Sequence, residues 1–260
     1  MNRRSLVGMV VCLGGLLLVP ACNSKPDIEL HEQNSVQQPG KEPEHGFLGC
    51  VYKAPDGQEY KYALFVPYSD KGDKPFPLIV FLHGSGEAGK DGKKETTVGI
   101  GPAVKKQEQT FPFLVLFPQS RDPDWEDADD KNRVIAELDE VEKEYKIDPK
   151  RVYLTGLSSG GDAVWALAAE YPDRWAAIIP IVGEGNPADA AKIKDIPCWA
   201  FEGGRDDKET VDSNHAMIQA LKDAGGDPKY TEFPDLNHMC WDRAYNDPQV
   251  MDWLGQQHRK

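Results

Sequence analysis

From residue 77 onward short apolar runs alternate with stretches of helical spacing, and this alternation leaves few architectures open. The runs are PLIVFLHG (77–84), FPFLVLFPQ (111–119), RVYLTGL (151–157), AAIIPIVG (176–183), IPCWAFEGG (196–204) and KYTEFPD (229–235). Between them, apolar residues recur three and four apart at Val134, Ile135, Leu138, Val141 and Tyr145, at Ala163, Val164, Leu167, Ala168 and Tyr171, and at Met217, Ile218 and Leu221, the period of a helix with one buried face. A last helix is predicted from Val250 through Trp253 onward. The first four runs are apolar at nearly every position, as strands covered on both faces must be. Upstream, FLGCVYKA and QEYKYALFVP flank Pro55, Asp56 and Gly57, turn residues that predict a hairpin. Strand, helix, strand in repetition means right-handed crossovers and a mostly parallel sheet, here with an antiparallel N-terminal hairpin at one edge and helices on both faces: an α/β fold.

The 30 basic and 43 acidic residues leave a formal charge of −13, which repels a phosphate backbone, so a nucleic-acid partner is not expected. Residues 1–21 read as a signal peptide: Arg3 and Arg4 precede an apolar run from Leu6 to Val19, and Ala21 precedes Cys22. Val19-Pro20-Ala21-Cys22 resembles a bacterial lipobox, which makes Cys22 the expected lipidation site and the protein an extracytoplasmic lipoprotein, with plain secretion as the alternative. Residues 22–45 are polar and aperiodic and read as a lipid-anchored tether, leaving residues 46–260 as the folded domain. Contact with a membrane is expected through that lipid alone. Cys50, Cys198 and Cys240 remain in the domain. They are odd in number and lack the C-x-x-C spacing of zinc sites, so neither a disulfide framework nor a metal centre is expected.

Gly156-Leu157-Ser158-Ser159-Gly160 joins the run RVYLT to the following helix. In the pattern G-x-S-x-G a serine sits on a sharp strand-to-helix turn, with glycines two residues away on each side leaving room for the close approach of backbone. Ser158 is the centred hydroxyl and the expected nucleophile. A serine needs an adjacent base oriented by a third group. Of the histidines after Ser158, His215 falls in a helical stretch and His258 near the end, whereas His238 follows the strand KYTEFPD in a loop. His238 is the expected base. Gly203 and Gly204 end another strand and put Asp206 and Asp207 on the next loop; Asp206 is preferred as the acid and Asp207 stays open.

His83-Gly84-Ser85-Gly86-Glu87, Gly156-Leu157-Ser158-Ser159-Gly160-Gly161, Phe201-Glu202-Gly203-Gly204-Arg205-Asp206 and Asn237-His238 resemble the corresponding segments of α/β-hydrolases. Within that superfamily the chain is most similar to dienelactone-hydrolase-like carboxylesterases, also described as phospholipase/carboxylesterases or predicted peptidases, over residues 46–257. The resemblance implies an eight-stranded sheet and Asp206 as the triad acid; the serine chemistry expected of the site calls for no cofactor. Dienelactone hydrolases proper carry Cys where this chain has Ser158, and Glu202 stands where these esterases often have His.

Two backbone amides are needed where the attacked carbonyl oxygen gathers charge. The amide of Ser159 follows the nucleophile directly; the second belongs to the loop after PLIVFL, where Ser85 is chosen over Gly84 and Gly86. His83 reads as a structural support of that loop. The acidic segment Asp122 to Asp130 surrounds Trp125; if it reaches the rim it favours neutral substrates, otherwise it is a solvated run. Trp125 and Trp241 are candidate pocket walls, with core packing the competing role. The expected activity is hydrolysis of neutral carboxylic esters, small molecules or acylated polysaccharides, through an acyl-enzyme. A serine peptidase of prolyl-oligopeptidase type and a non-catalytic binding protein on the same fold are the alternatives.

Overall fold

A computed structural model describes residues 28–32, 44–68 and 74–260. The signal peptide, Cys22 and most of the tether lie outside the described residues. In chain order the strands are β1 (His31–Glu32), β2 (Gly46–Lys53), β3 (Glu59–Val66), β4 (Phe76–Leu82), β5 (Leu114–Phe117), β6 (Ile147–Leu157), β7 (Ala177–Ile181), β8 (Trp199–Gly203) and β9 (Lys229–Phe233). The helices are α1 (Ile100–Lys106), α2 (Ala128–Glu144), α3 (Ser159–Glu170), α4 (Ala190–Ile193), α5 (Lys208–Asp223), α6 (Trp241–Asn246) and α7 (Pro248–Gln256).

The strands form one sheet in the order β1-β2-β3-β5-β4-β6-β7-β8-β9. The expected hairpin is β2 and β3, antiparallel from Gly46 opposite Val66 to Lys53 opposite Glu59. Its turn closes through Gly57, at φ 85°, a conformation that glycine adopts without a Cβ clash. β3 also runs antiparallel to β5, and from β5 to β9 all neighbours are parallel. The ninth strand is β1, which pairs with Leu48 and Gly49 of β2. It falls within the stretch read from sequence as tether. Ile28 and Leu30 explain the difference, because they pack against the core and draw this piece of chain onto the sheet edge.

Alternation along the central strands feeds two apolar layers. Leu78, Val80 and Leu82 of β4 join Val134, Leu138, Val164, Leu167, Met217 and Leu221, burying α2, α3 and α5 on one face. Ile79 and Phe81 point the other way, toward Ile100, Val104, Tyr245, Val250 and Leu254 of α1, α6 and α7. Parallel strands release their loops at the carboxyl edge of the sheet, where ligands of open α/β sheets bind. Ser158, Asp206 and His238 all follow strands at that edge.

Candidate active site

Ser158 links β6 to α3 at φ 54° and ψ −129°, a strained conformation for any residue but glycine. The glycines beside it have a steric cause. A Cβ on Gly156 would lie 2.4 Å from the Gly160 carbonyl oxygen, and one on Gly160 would lie 2.2 Å from that of Leu82. The Ser158 amide donates to the Ile181 carbonyl at the end of β7, 3.0 Å away. The next residue, Val182, also has positive φ, 48°, so two neighbouring strand ends hold strained backbone at the same place.

Asp206 and His238 hang from β8 and β9, stitched together by backbone. The Gly204 amide donates to Phe233 (2.9 Å), the Arg205 amide to Leu236 (2.8 Å), and the Asp206 amide back to Gly203 (2.9 Å). His238 Nδ1 lies 2.6 Å from Asp206 Oδ2, and His238 Nε2 lies 2.9 Å from Ser158 Oγ. Acid, imidazole and hydroxyl thus form one hydrogen-bonded chain. The Asp206 side chain is 6% exposed and that of His238 40%, so the acid is sheltered while the imidazole meets solvent. Asp207, the alternative acid, is occupied elsewhere: its carboxylate accepts from the Thr210 amide and caps the N-terminus of α5. Asp206 Oδ1 in turn accepts from the Asp207 amide at 2.8 Å.

The Ser159 hydroxyl donates to the Pro123 carbonyl, 2.8 Å away, while its amide lies in the first turn of α3, where amides have no intrahelical acceptor and the helix dipole presents positive potential. The loop 84–86 comes close to Ser158: a Cβ on Gly84 would be 3.5 Å from that of Ser158. Ser85 itself is exposed and opens a short 3-10 turn, Ser85–Glu87. His83 supports this loop from below. It is buried, its Nε2 accepts from the Ser120 amide at 2.9 Å, and its Nδ1 faces the Gly84 carbonyl at 2.7 Å. Accepting at Nε2 places the proton on Nδ1, which donates to Gly84. Burial pushes the imidazole down to about 4, so His83 stays neutral in both bonds.

Of the two candidate pocket walls, Trp241 is buried with its ring 5.8 Å from that of His238 and perpendicular to it, so it packs beside that imidazole. Trp125 is 1% exposed, at φ 56°, and its indole N–H donates to the His83 carbonyl at 3.0 Å. It braces the loop 83–86 and forms one side of a cleft of about 390 Å³, shared with Asp124, Glu126, Asp162, Trp165 and Glu184. The acidic segment divides its labour. Asp122 accepts from the amides of Glu126 (2.8 Å) and Asp127 (3.0 Å), and Asp127 caps α2. Asp130 is buried; burial alone would raise its carboxyl, but the Ser120 hydroxyl, the Asp122 amide and Arg133 hold it below the usual range. Asp124 and Glu126 are the members that reach the cleft. Asp162, one turn beyond Ser158, is pushed up to about 6 by burial and by Glu184, against the Glu184 amide and His238, which lower it.

Glu202 went unassigned in the sequence, apart from its standing where related chains often have His. It is buried directly behind Asp206, and burial, with Asp206 beside it, pushes its carboxyl up to about 8. Among the described residues no group of three or more His, Cys, Asp or Glu is arranged to hold a metal ion, and Cys50, Cys198 and Cys240 are buried.

Residues 121–248 match the dienelactone hydrolase family. The chain is similar to poly(3-hydroxyalkanoate) depolymerase C of Paucimonas lemoignei, 31% identical over 121 residues, which is 41% of this chain and 28% of that protein. It is also similar to a bifunctional acetylxylan esterase/xylanase of Neocallimastix patriciarum, 29% identical over 115 residues, 43% of this chain and 17% of that one. The chain therefore spans less than a third of either relative's length. A crystal structure of a thermostable esterase superposes with a TM-score of 0.74 at 32% identity, covering 82% of this chain and 63% of the other.

Proposed function

We propose that this chain, whose residues 121–248 match the dienelactone hydrolase family and which superposes on a thermostable esterase, is a serine esterase working through an acyl-enzyme, with Ser158, His238 and Asp206 as its triad. The observation that carries this reading is the continuous contact from Asp206 Oδ2 through His238 to Ser158 Oγ, at 2.6 and 2.9 Å.

As Ser158 Oγ bonds to the ester carbonyl carbon, its proton passes to His238 Nε2. The imidazolium that forms is stabilised by the Asp206 carboxylate, which also holds the ring in the tautomer that leaves Nε2 free to accept. The carbonyl oxygen becomes an alkoxide, held by the amides of Ser85 and Ser159. Such donors are each worth about 10²–10³ in turnover. Collapse breaks the bond to the alcohol, which leaves with the proton from His238. Water then attacks the acyl-Ser158, gives its proton to His238, and a second collapse releases the acid and restores the Ser158 hydroxyl.

Neutral acyl esters are the proposed substrates. Asp124, Glu126 and Glu184 line the cleft beside the nucleophile's helix, and their charge opposes an anionic acyl or alcohol group. The acetylxylan esterase among the relatives supports acylated polysaccharide as one source of such esters. Lipid attachment at Cys22 would hold the enzyme at an extracytoplasmic membrane face. The test is labelling by a fluorophosphonate and hydrolysis of p-nitrophenyl acetate by wild type and Ser158→Ala. The reading requires both in wild type and neither in the variant. A wild type that is neither labelled nor active favours a binding protein on a hydrolase fold.

A further inference from the structure

Glu202 is the last charged residue of β8, and its side chain is fully buried. Oε1 accepts from the Gly203 amide at 2.8 Å, and Oε2 accepts from Asn214 Nδ2 on α5 at 2.6 Å. The carboxyl therefore ties together the two elements between which Asp206 is suspended: the glycine turn whose Gly203 carbonyl accepts the Asp206 amide, and the helix capped by Asp207. Asn214 is itself buried and also donates to the Thr210 carbonyl at 3.3 Å, in the first turn of that helix. We propose that Glu202 is a positioning residue for the triad, a buried carboxyl behind Asp206 that ties β8 to α5 and so keeps the triad acid aimed at His238.

This inference rests on the esterase reading above and adds the group that aligns the acid. Its physical basis is the cost of placing two carboxylates against each other out of water, which leaves one of them holding a proton. Asp206 bonds to His238 and to the Asp207 amide. Glu202 faces Asp206 from the following turn, Glu232 and Tyr230 from β9, and Cys240 at the start of α6. None of these is a cation. Asn214 is the group that α5 presents to it. Burial first, then Asp206 and Glu232, raise the Glu202 carboxyl against the lowering effect of the Gly203 amide, to about 8. Above it, the proton is lost to solvent, both carboxylates are charged, and their repulsion turns Asp206 away from the imidazole.

The experiment compares wild type, Glu202→Gln and Glu202→Ala by kcat and KM for p-nitrophenyl acetate between pH 6 and 10, with thermal melts of each protein. In wild type kcat/KM should fall above an inflection near 8. Glu202→Gln, uncharged at every pH, should lack that fall. Glu202→Ala should lose about tenfold or more in kcat at pH 7 with KM within about twofold, as expected when a misaligned acid weakens a step of the chemistry rather than binding. Glu202→Gln should recover most of that loss. A Glu202→Gln profile that falls as wild type does overturns the proposal, as does a folded Glu202→Ala with wild-type kcat. Should Glu202→Ala not fold, the isosteric Gln variant decides. A wild type without hydrolysis or labelling removes the esterase reading and this inference together, whereas an active wild type with an unchanged Gln profile removes this inference alone.

Discussion

Gly203 and Asn237 touch backbone to backbone: a Cβ on Gly203 would sit 2.0 Å from the Asn237 carbonyl oxygen. The turn that carries Asp206 and the loop that carries His238 are thus in contact immediately before the two functional side chains. Gly203→Ala must push the loops apart by more than an ångström. Since a 1 Å misplacement costs on the order of 100-fold in rate, kcat should fall by about that factor with KM little changed. Steady-state kinetics at pH 7 check this.

Asp206 and Asp207 are adjacent in sequence but differ in what they bond, and their amides should separate cleanly. Asp206→Asn leaves His238 without the acceptor that fixes its tautomer, and kcat should drop by about 10²–10⁴. Asp207→Asn keeps a competent helix cap, so activity should stay within about twofold, while Asp207→Ala should cost about 1 kcal/mol of stability through the lost cap. Kinetics paired with urea titrations distinguish the two positions.

Glu95, in the 3-10 turn Lys94–Thr96, is fully buried, and among the described residues no other residue hydrogen-bonds either carboxyl oxygen. Burial, with Asp91 and Glu137, raises its carboxyl from 4.5 to about 9. Over that window the folded chain holds a proton that the unfolded chain releases. The stabilising contribution is complete below 4.5 and is lost as pH rises to about 9. Glu95→Gln should match wild type in Tm near pH 4 and exceed it by about 2–5 °C at pH 8.5. Melts followed by circular dichroism at both pH values test the sign.

Asp124 and Glu126 line the cleft, so neutralising both, as Asp124→Asn with Glu126→Gln, should raise kcat/KM for an anionic ester such as a hemisuccinate by about three- to tenfold at low salt and leave a neutral acetate within about twofold. The difference should shrink at 0.5 M salt, where screening removes it.

Cys22→Ser should release the protein from the membrane fraction, because a single serine removes the acceptor of the proposed lipid. Unchanged fractionation excludes that anchor.

The strands around the site were legible because each is a short apolar run ended by glycine or a polar loop, as at Leu82-His83-Gly84 and Phe201-Glu202-Gly203. The sharp turn at Ser158 was legible because its glycines answer a steric demand within five residues. Helices α1, α4 and α6 escaped because four to seven residues give too little length for a period. The bracing contact of Trp125 escaped for another reason: it joins the indole to His83, 42 residues away in sequence, and nothing local marks a left-handed tryptophan. In the sequence Asp206 is preferred but Asp207 stays open because both follow the same glycines, and only the path of the chain decides which becomes a cap. Glu202 reads as one more acid until the sheet buries it.

Ser158 hangs from β6, whereas Asp206 and His238 hang from β8 and β9, and the line between these two groups crosses a short-registered seam of the parallel sheet. β7 meets β8 through the pair Ile181 and Phe201, with one isolated bridge between Ile178 and Cys198, while β4 and β6 match over a long register. Warming or dilute denaturant that opens this seam parts hydroxyl from imidazole while most helices are still wound, so inactivation should run ahead of global melting.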